Sequence, residues 1–312
     1  MRVSTSMFTN NFLPNLNTLE QTQNQLQGQA SSGLNMTLPE DNPLTMGKVL
    51  NLQSEVDANT QYQQNITQLT SSATDVSNIL SSLQPLIAQA STIAVGAGNL
   101  ATQGNLPNAA SDVGSLVKQI LALANSKDAK GNYIFGGTQN DQPPFVATTD
   151  ADNNITGVTY QGNTSVLSSE IAPNLSMSAQ IPGGNTTGTG PQGLLLDSRS
   201  GTDVFSHLIA LQQNLSSGNL SAITSTDIPA ISADDDHVIS QMSGNGVVQS
   251  ALESASNSTT LQGTALSGQI STATSADLAQ TLTKLSQTQT AYQAAMQSGV
   301  LIMQLSILQY IH

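Results

Sequence analysis

From Tyr62 onward the apolar positions recur at alternating spacings of four and three: Tyr62, Ile66, Leu69, Ala73, Val76, Leu80, Leu83, Ile87, Ala90 and Ala94. That unbroken alternation is the seam of a left-handed coiled coil. At about 1.5 Å per residue it predicts a helix roughly 50 Å long. Pro85 lies inside the run, where it removes an amide donor and predicts a kink or break. The C-terminal segment repeats the pattern at Leu278, Leu282, Leu285, Gln289, Tyr292, Met296, Gly299, Met303, Ser306 and Tyr310, after a Ser275/Asp277 start signal. A poorer version opens the chain at Phe8, Phe12, Leu16, Leu19, Gln23, Leu26, Ala30 and Gly33. Stripes this narrow do not hold a helix in water by propensity alone, so they require partner helices.

Turn signals divide these stripes. Leu38-Pro39-Glu40-Asp41-Asn42-Pro43 ends the first helix and caps the next through Asp41 or Asn42. Gly96 to Pro107 reads as a loop before a shorter helix bearing Val113, Leu116, Ile120 and Leu123. Asp128 to Asn132 reads as a turn into a strand at Tyr133-Ile134-Phe135, stopped by Gly136-Gly137. Residues 139–200 hold five of the eleven prolines, with short strands predicted at Thr156–Tyr160 and Ser165–Leu167 and a flexible loop from Gly183 to Gly193. Helical patterning then resumes.

The expected fold is mainly α: a long helical coiled-coil or bundle rod built from both chain ends, carrying a small inserted β-rich domain. The expected divisions are a terminal helix at 1–40, a helical half at 41–138 with a β-hairpin at 128–137, and the β-rich domain at 139–200. A second helical half at 201–274 and a C-terminal helix at 275–312 complete the chain.

Composition changes what the helices can be used for. Only 9% of the 312 residues are charged, against about 25% in an ordinary soluble domain. Seven Lys and Arg face twenty Asp and Glu, for a net charge of −13, and 130 residues are Ser, Thr, Asn or Gln. Without a basic cluster, nucleic-acid binding and a basic membrane-surface helix are excluded. Cysteine is absent, so there is no disulfide framework, thiol nucleophile or zinc–thiolate site. The opening Met1-Arg2-Val3-Ser4-Thr5 leads into no apolar run suited to a Sec signal, and Val300 to Ile311 is too short to span a membrane.

Candidate chemistry is sparse. Asp234-Asp235-Asp236-His237 offers four ligand types in a row, but consecutive residues on a helix point apart, so the run reads as a solvated helix start. Asp150-Ala151-Asp152-Asn153-Asn154 has the beginning of a calcium loop without its sixth-position glycine or distal Glu. The glycines at 183, 184, 188, 190 and 193 lack phosphate-loop spacing. No catalytic, cofactor or metal site is expected, and the protein is not read as an enzyme. What remains is the terminal stripes, which serve either as intramolecular core or as surfaces buried between subunits.

Several segments resemble the bacterial flagellin family. Met1-Arg2-Val3-Ser4-Thr5 is similar to the start of flagellar hook-associated proteins, and Gln29-Ala30-Ser31-Ser32-Gly33 followed by Pro39–Pro43 resembles the turn after that family's first helix. Gly131 to Gly137 resembles its hairpin, and Val158 to Gly162 the entry to its β module. Gln287–Ala295 with Gln304–Ile311 is similar to its C-terminal helix. The turn departs from the family pattern in carrying Asp41-Asn42 where acidic residues are usual.

The resemblance implies a structural component of the bacterial flagellum, secreted without a cleaved signal through the flagellar type III apparatus. It would be a hook–filament junction adaptor that polymerises as a homo-oligomer ring through its terminal helices. The implied partners are neighbouring hook-associated, hook or filament subunits and an export chaperone on the C-terminal helix, with no nucleic acid and no membrane insertion. The alternatives are a filament subunit and a secreted surface-binding module acting through the β domain. The residues expected at the assembly interface are Phe8, Phe12, Leu16, Leu19, Leu26, Leu282, Leu285, Tyr292, Met296, Met303 and Tyr310.

Overall fold

The computed structural model describes residues 5–36, 42–98 and 105–310. The chain is mainly helical, with long helices at both ends and a small β-containing region between them. In order the elements are α1 (Thr5–Ser32), α2 (Pro43–Ala97) and α3 (Leu106–Ala124). Seven short strands follow, then α4 (Val204–Ser217), α5 (Leu220–Ala222), a π-helical turn (Ile223–Asp227), α6 (Ile228–Thr274) and α7 (Leu278–Tyr310). Two compact units emerge, Asn59–Leu261 and the pair Met1–Ala58 with Gln262–His312, so the division falls inside α2 and α6. The sequence placed its boundaries at the helix breaks near 40 and 275 instead.

In the unit Asn59–Leu261, α2 buries the predicted seam from Ile66 to Ala94, with Tyr62 half-buried, and the stripe continues to Ala97. The helix runs through Pro85 without interruption, so the expected break does not occur. The ring costs one helical hydrogen bond, and the fully buried Leu83 and Ile87 around it keep that turn docked. By length and hydropathy α2 would also pass as a membrane span, but its apolar stripe is the centre of this core. From Val76 onward this stripe packs on one face of α3, through Val113, Leu116, Val117 and Ile120, and one face of α4, through Phe205, Leu208, Leu211 and Leu215, whereas Ile66, Leu69 and Ala73 cluster with Ile171, Ala179 and Leu252. Asp203 caps α4 by accepting from the Ser206 amide at 3.0 Å, and Gly218 ends it at φ 70°.

The strands are β1 (Phe145–Thr149), β2 (Ile155–Tyr160), β3 (Ser169–Ala172), β4 (Leu175–Met177), β5 (Gly184–Asn185), β6 (Leu196–Asp197) and β7 (Thr202–Asp203). They form two antiparallel hairpins, β1–β2 and β3–β4, and a three-stranded sheet in which β5 lies parallel to β6.

Three local expectations fail. The predicted hairpin at 128–137 is a turn with one bridge, Lys127 to Tyr133. The Asp128 carboxylate accepts from the Lys130 and Asn132 amides, and the fully buried Phe135 is spent on the core rather than on a ladder. Ser165–Leu167 is not a strand; pairing begins at Ser169. The glycine-rich segment is not a free loop either, because Gly183, Gly184 and Asn185 are buried. The Asn185 amide donates to the carbonyls of Thr189 and Pro191 at 2.7 Å and so closes the loop on itself.

In the other unit, α1 ends at Gly33, whose φ of 72° permits the chain reversal. Leu34 bridges Ser275, the Asn35 amide donates to Thr274 O at 2.7 Å, and the Ala276 amide donates to Gly33 O at 2.8 Å. Asp277 then caps α7 by accepting from the Gln280 amide at 3.0 Å. Asn42 caps α2, accepting from the Thr45 amide at 3.1 Å. Leu38 to Asp41 lie outside the described residues.

Candidate assembly surface

The terminal helices α1 and α7 pair antiparallel. Phe12 meets Gly299 near one end, and Leu34 bridges Ser275 at the other. On α1 the predicted stripe faces inward: Phe12, Leu16 and Leu19 are half-buried and Leu26 is buried, while Leu13 is exposed. On α7 the inward face reads Thr281, Leu285, Thr288, Tyr292, Ala295 and Gly299, the last with no room for a side chain because the Phe12 ring occupies the space.

That face only partly matches the sequence stripe. Leu285, Tyr292 and Gly299 belong to both, but the second row is Thr281, Thr288 and Ala295 rather than Leu282, Gln289 and Met296. A helix with apolar residues on two adjacent rows has two possible seams. The structure turns the row of small residues inward, and Gly299, shared by both rows, makes room for the Phe12 ring.

The apolar residues left over form an outward row. Leu278, Leu282, Met296, Val300 and Leu301 are between 44% and 61% exposed. Met296, Val300 and Leu301 line a shallow depression with Gln297 and Gln304. The expected interface residues therefore divide into two sets. Phe12, Leu16, Leu19, Leu26, Leu285 and Tyr292 hold α1 to α7, whereas Leu282 and Met296 face outward. The side chains of Phe8, Met303 and Tyr310 lie outside the described residues.

The acidic run the sequence placed at a solvated helix start sits within α6 and is partly buried. Asp234 is 1% exposed and accepts from His207 Nδ1 on α4 at 2.8 Å. Burial pushes the Asp234 carboxyl up, while the hydrogen bond to Asp234 raises His207 against the opposing effect of burial. Asp235 accepts from Gln84 of α2 at 3.1 Å, and His237 Nε2 donates to Gly193 O at 2.8 Å. The run fans out to three elements and converges on no point. The 150–154 segment is the β1–β2 turn: Asp150 accepts from the Asp152 and Asn154 amides, which take up the oxygens a cation would need. Among the described residues no three His, Asp or Glu side chains are placed to share an ion.

Two buried polar features were not anticipated. Asp197, fully buried, takes a two-pronged hydrogen bond from Arg199 and another from the Gly193 amide. Burial opposes its ionisation, but these donors hold the carboxyl down to about 2. Asn59 and Asn245 are buried between α2 and α6. Their signal was available, since Asn59 lies seven residues before Ile66 and Asn245 seven before Leu252.

Comparison with known proteins agrees with this architecture. Residues 3–140 match the family model of the bacterial flagellin N-terminal helical region. The flagellar hook-associated protein 3 of Salmonella typhimurium is 29% identical over 146 residues, 46% of each chain. That of Escherichia coli is 30% identical over 118 residues, 38% of this chain and 37% of its own. These matches span less than half the length of the curated relatives.

Among solved structures, a putative flagellar hook-associated protein from Vibrio parahaemolyticus superposes with a TM-score of 0.62 at 20% identity, over 75% of this chain and 99% of that one. Flagellar hook-associated protein 3 from Legionella pneumophila does so with a TM-score of 0.59 at 14% identity, over 72% and 98%. At such identities the agreement is one of fold. The chain thus resembles flagellar hook-associated protein 3, in sequence over less than half its length and in fold over about three quarters of it.

Proposed function

We propose that this protein is a structural component of the bacterial flagellum, outside the cell, that joins hook to filament by polymerising through α1 and α7. One observation carries the reading: after α1 and α7 have paired, α7 still presents an unused row of Leu278, Leu282, Met296, Val300 and Leu301. Apolar rows of this kind mark contact surfaces, and the likeness to hook-associated proteins supplies the setting. The second apolar row would bind the terminal helices of neighbouring subunits in a ring. Export without a cleaved signal, and a chaperone shielding the α7 row before assembly, belong to the same proposal.

The test is to place charge on the outer row alone. Leu282→Glu with Met296→Glu should leave the helical content and unfolding temperature of the isolated chain unchanged, yet abolish its incorporation between hook and filament and with it motility. Normal motility and normal junctions from that variant would overturn the proposal.

A further inference from the structure

The antiparallel pair α2–α6 needs a device that sets its register, and charge does not provide one. Helix α6 contains no Lys or Arg, and the single cation of α2, Lys48, lies outside the unit Asn59–Leu261. The ion pairs found among the described residues, Arg199–Asp197 and His207–Asp234, do not join these helices.

Amide side chains join them instead. Asn59 donates to Thr259 O at 2.9 Å, and Asn245 donates to Ala73 O at 2.9 Å. Gln249 adds a bond to the same Ala73 carbonyl at 3.1 Å, Gln63 reaches the Thr260 hydroxyl at 3.1 Å, and Gln84 reaches Asp235 at 3.1 Å. As the α2 number rises from 59 to 84 the α6 number falls from 259 to 235, so all five bonds describe one alignment.

The two buried amides carry the discrimination. A helix offers a main-chain carbonyl at every turn, so a bond to one does not by itself select a register. What selects it is the size of the residue at that carbonyl. Ala73 is small and Thr259 is short, and they leave their carbonyls open to the incoming amide. One heptad away in either direction, the same seam positions hold Ile66 and Leu80 on α2, and Leu252 and Leu266 on α6. A slip of seven residues would set each buried amide against a bulky aliphatic side chain, desolvated and without a partner.

We propose that Asn59 and Asn245, each facing a small residue in an otherwise aliphatic seam, are the register-setting residues of the α2–α6 pair. They specify alignment rather than add stability, and an alignment set by neutral amides is indifferent to ionic strength.

The full chain is free of cysteine, so spin labels can be placed at Cys residues introduced at the exposed positions Thr67 and Ser254. Electron–electron distance measurement should give one narrow distribution that is the same at about 50 mM and about 1 M salt. The double variant Asn59→Leu/Asn245→Leu should keep its helical signal and melt no lower. Its distribution should broaden, with a second population displaced by about 10 Å along the helix, one heptad.

Asn59→Leu and Asn245→Leu alone should each give a smaller second population. A single unchanged distance in the double variant would overturn the proposal. So would a distance in the parent chain that shifts with salt. A double variant that loses its helical signal overturns it too, because the amides would then be a source of stability.

Discussion

The contact between Phe12 and Gly299 tests the α1–α7 alignment without reference to assembly. A methyl group added at Gly299 would lie 2.5 Å from Phe12 Cζ and 2.9 Å from Cε1, well inside ordinary contact distance. Two effects compete. Replacing glycine by alanine in a helix interior gains about 1 kcal/mol from propensity, whereas overpacking costs about 1–3 kcal/mol. Gly299→Ala alone should therefore be neutral to about 2 kcal/mol destabilising.

Phe12→Ala alone should cost about 2 kcal/mol, roughly half the value for a fully buried ring, since Phe12 is half-buried. With the ring gone, the three atoms nearest the added methyl are removed, and Gly299→Ala should stabilise the variant by about 1 kcal/mol. The change of sign is the prediction. It corresponds to a coupling of about 1–3 kcal/mol, where independent sites add to within about 0.5 kcal/mol. Native-state hydrogen exchange at the amides of residues 16–26 and 285–295 reads the opening free energy of this helix pair directly. Additive effects, or a Gly299→Ala that stabilises the parent chain, would refute the antiparallel alignment.

Other expectations concern the unit Asn59–Leu261. The imidazole of His207 is raised above its usual value by the hydrogen bond to Asp234, with Asp203 and Asp227 adding charge nearby. The stability it contributes is thus fully present below about 6.5 and is lost as pH rises through the raised value. His207→Gln should flatten that part of the unfolding temperature–pH curve. Asp197 behaves oppositely: held down to about 2, it stabilises above the ordinary carboxylate range, and that contribution disappears as pH falls toward 2. Acid unfolding monitored by near-ultraviolet circular dichroism should move to higher pH in Arg199→Ala. Gly193→Ala would drive its new methyl into the Leu196 carbonyl oxygen and the Asn185 amide. Because backbone cannot step aside cheaply, it should lower the melting temperature by several degrees.

The stripe on α2 was legible because it has one solution. Ten positions at alternating spacings without a miss define one continuous face to bury, and every one from Ile66 to Ala94 is buried. The cap at Asn42 was among the two residues the sequence offered, since an N-cap bond closes within three residues, whereas the cap of α7 is Asp277 rather than the expected Ser275. The run Asp234–His237 was misread because its meaning lies elsewhere in the chain, in Gln84, Gly193 and His207. Local dipole arguments placed it at a helix start, yet α6 already passes through it.

Chain-local information determined that this protein is built from long apolar-striped helices around a turn-rich middle, with too few charges and too few metal-binding side chains for several kinds of function. Only the tertiary structure decided which of two apolar rows on α7 turns inward. That choice depends on the partner helix α1, which lies at the other end of the chain. Periodicity records how many faces of a helix avoid water, but the shape of the partner decides which face each neighbour receives.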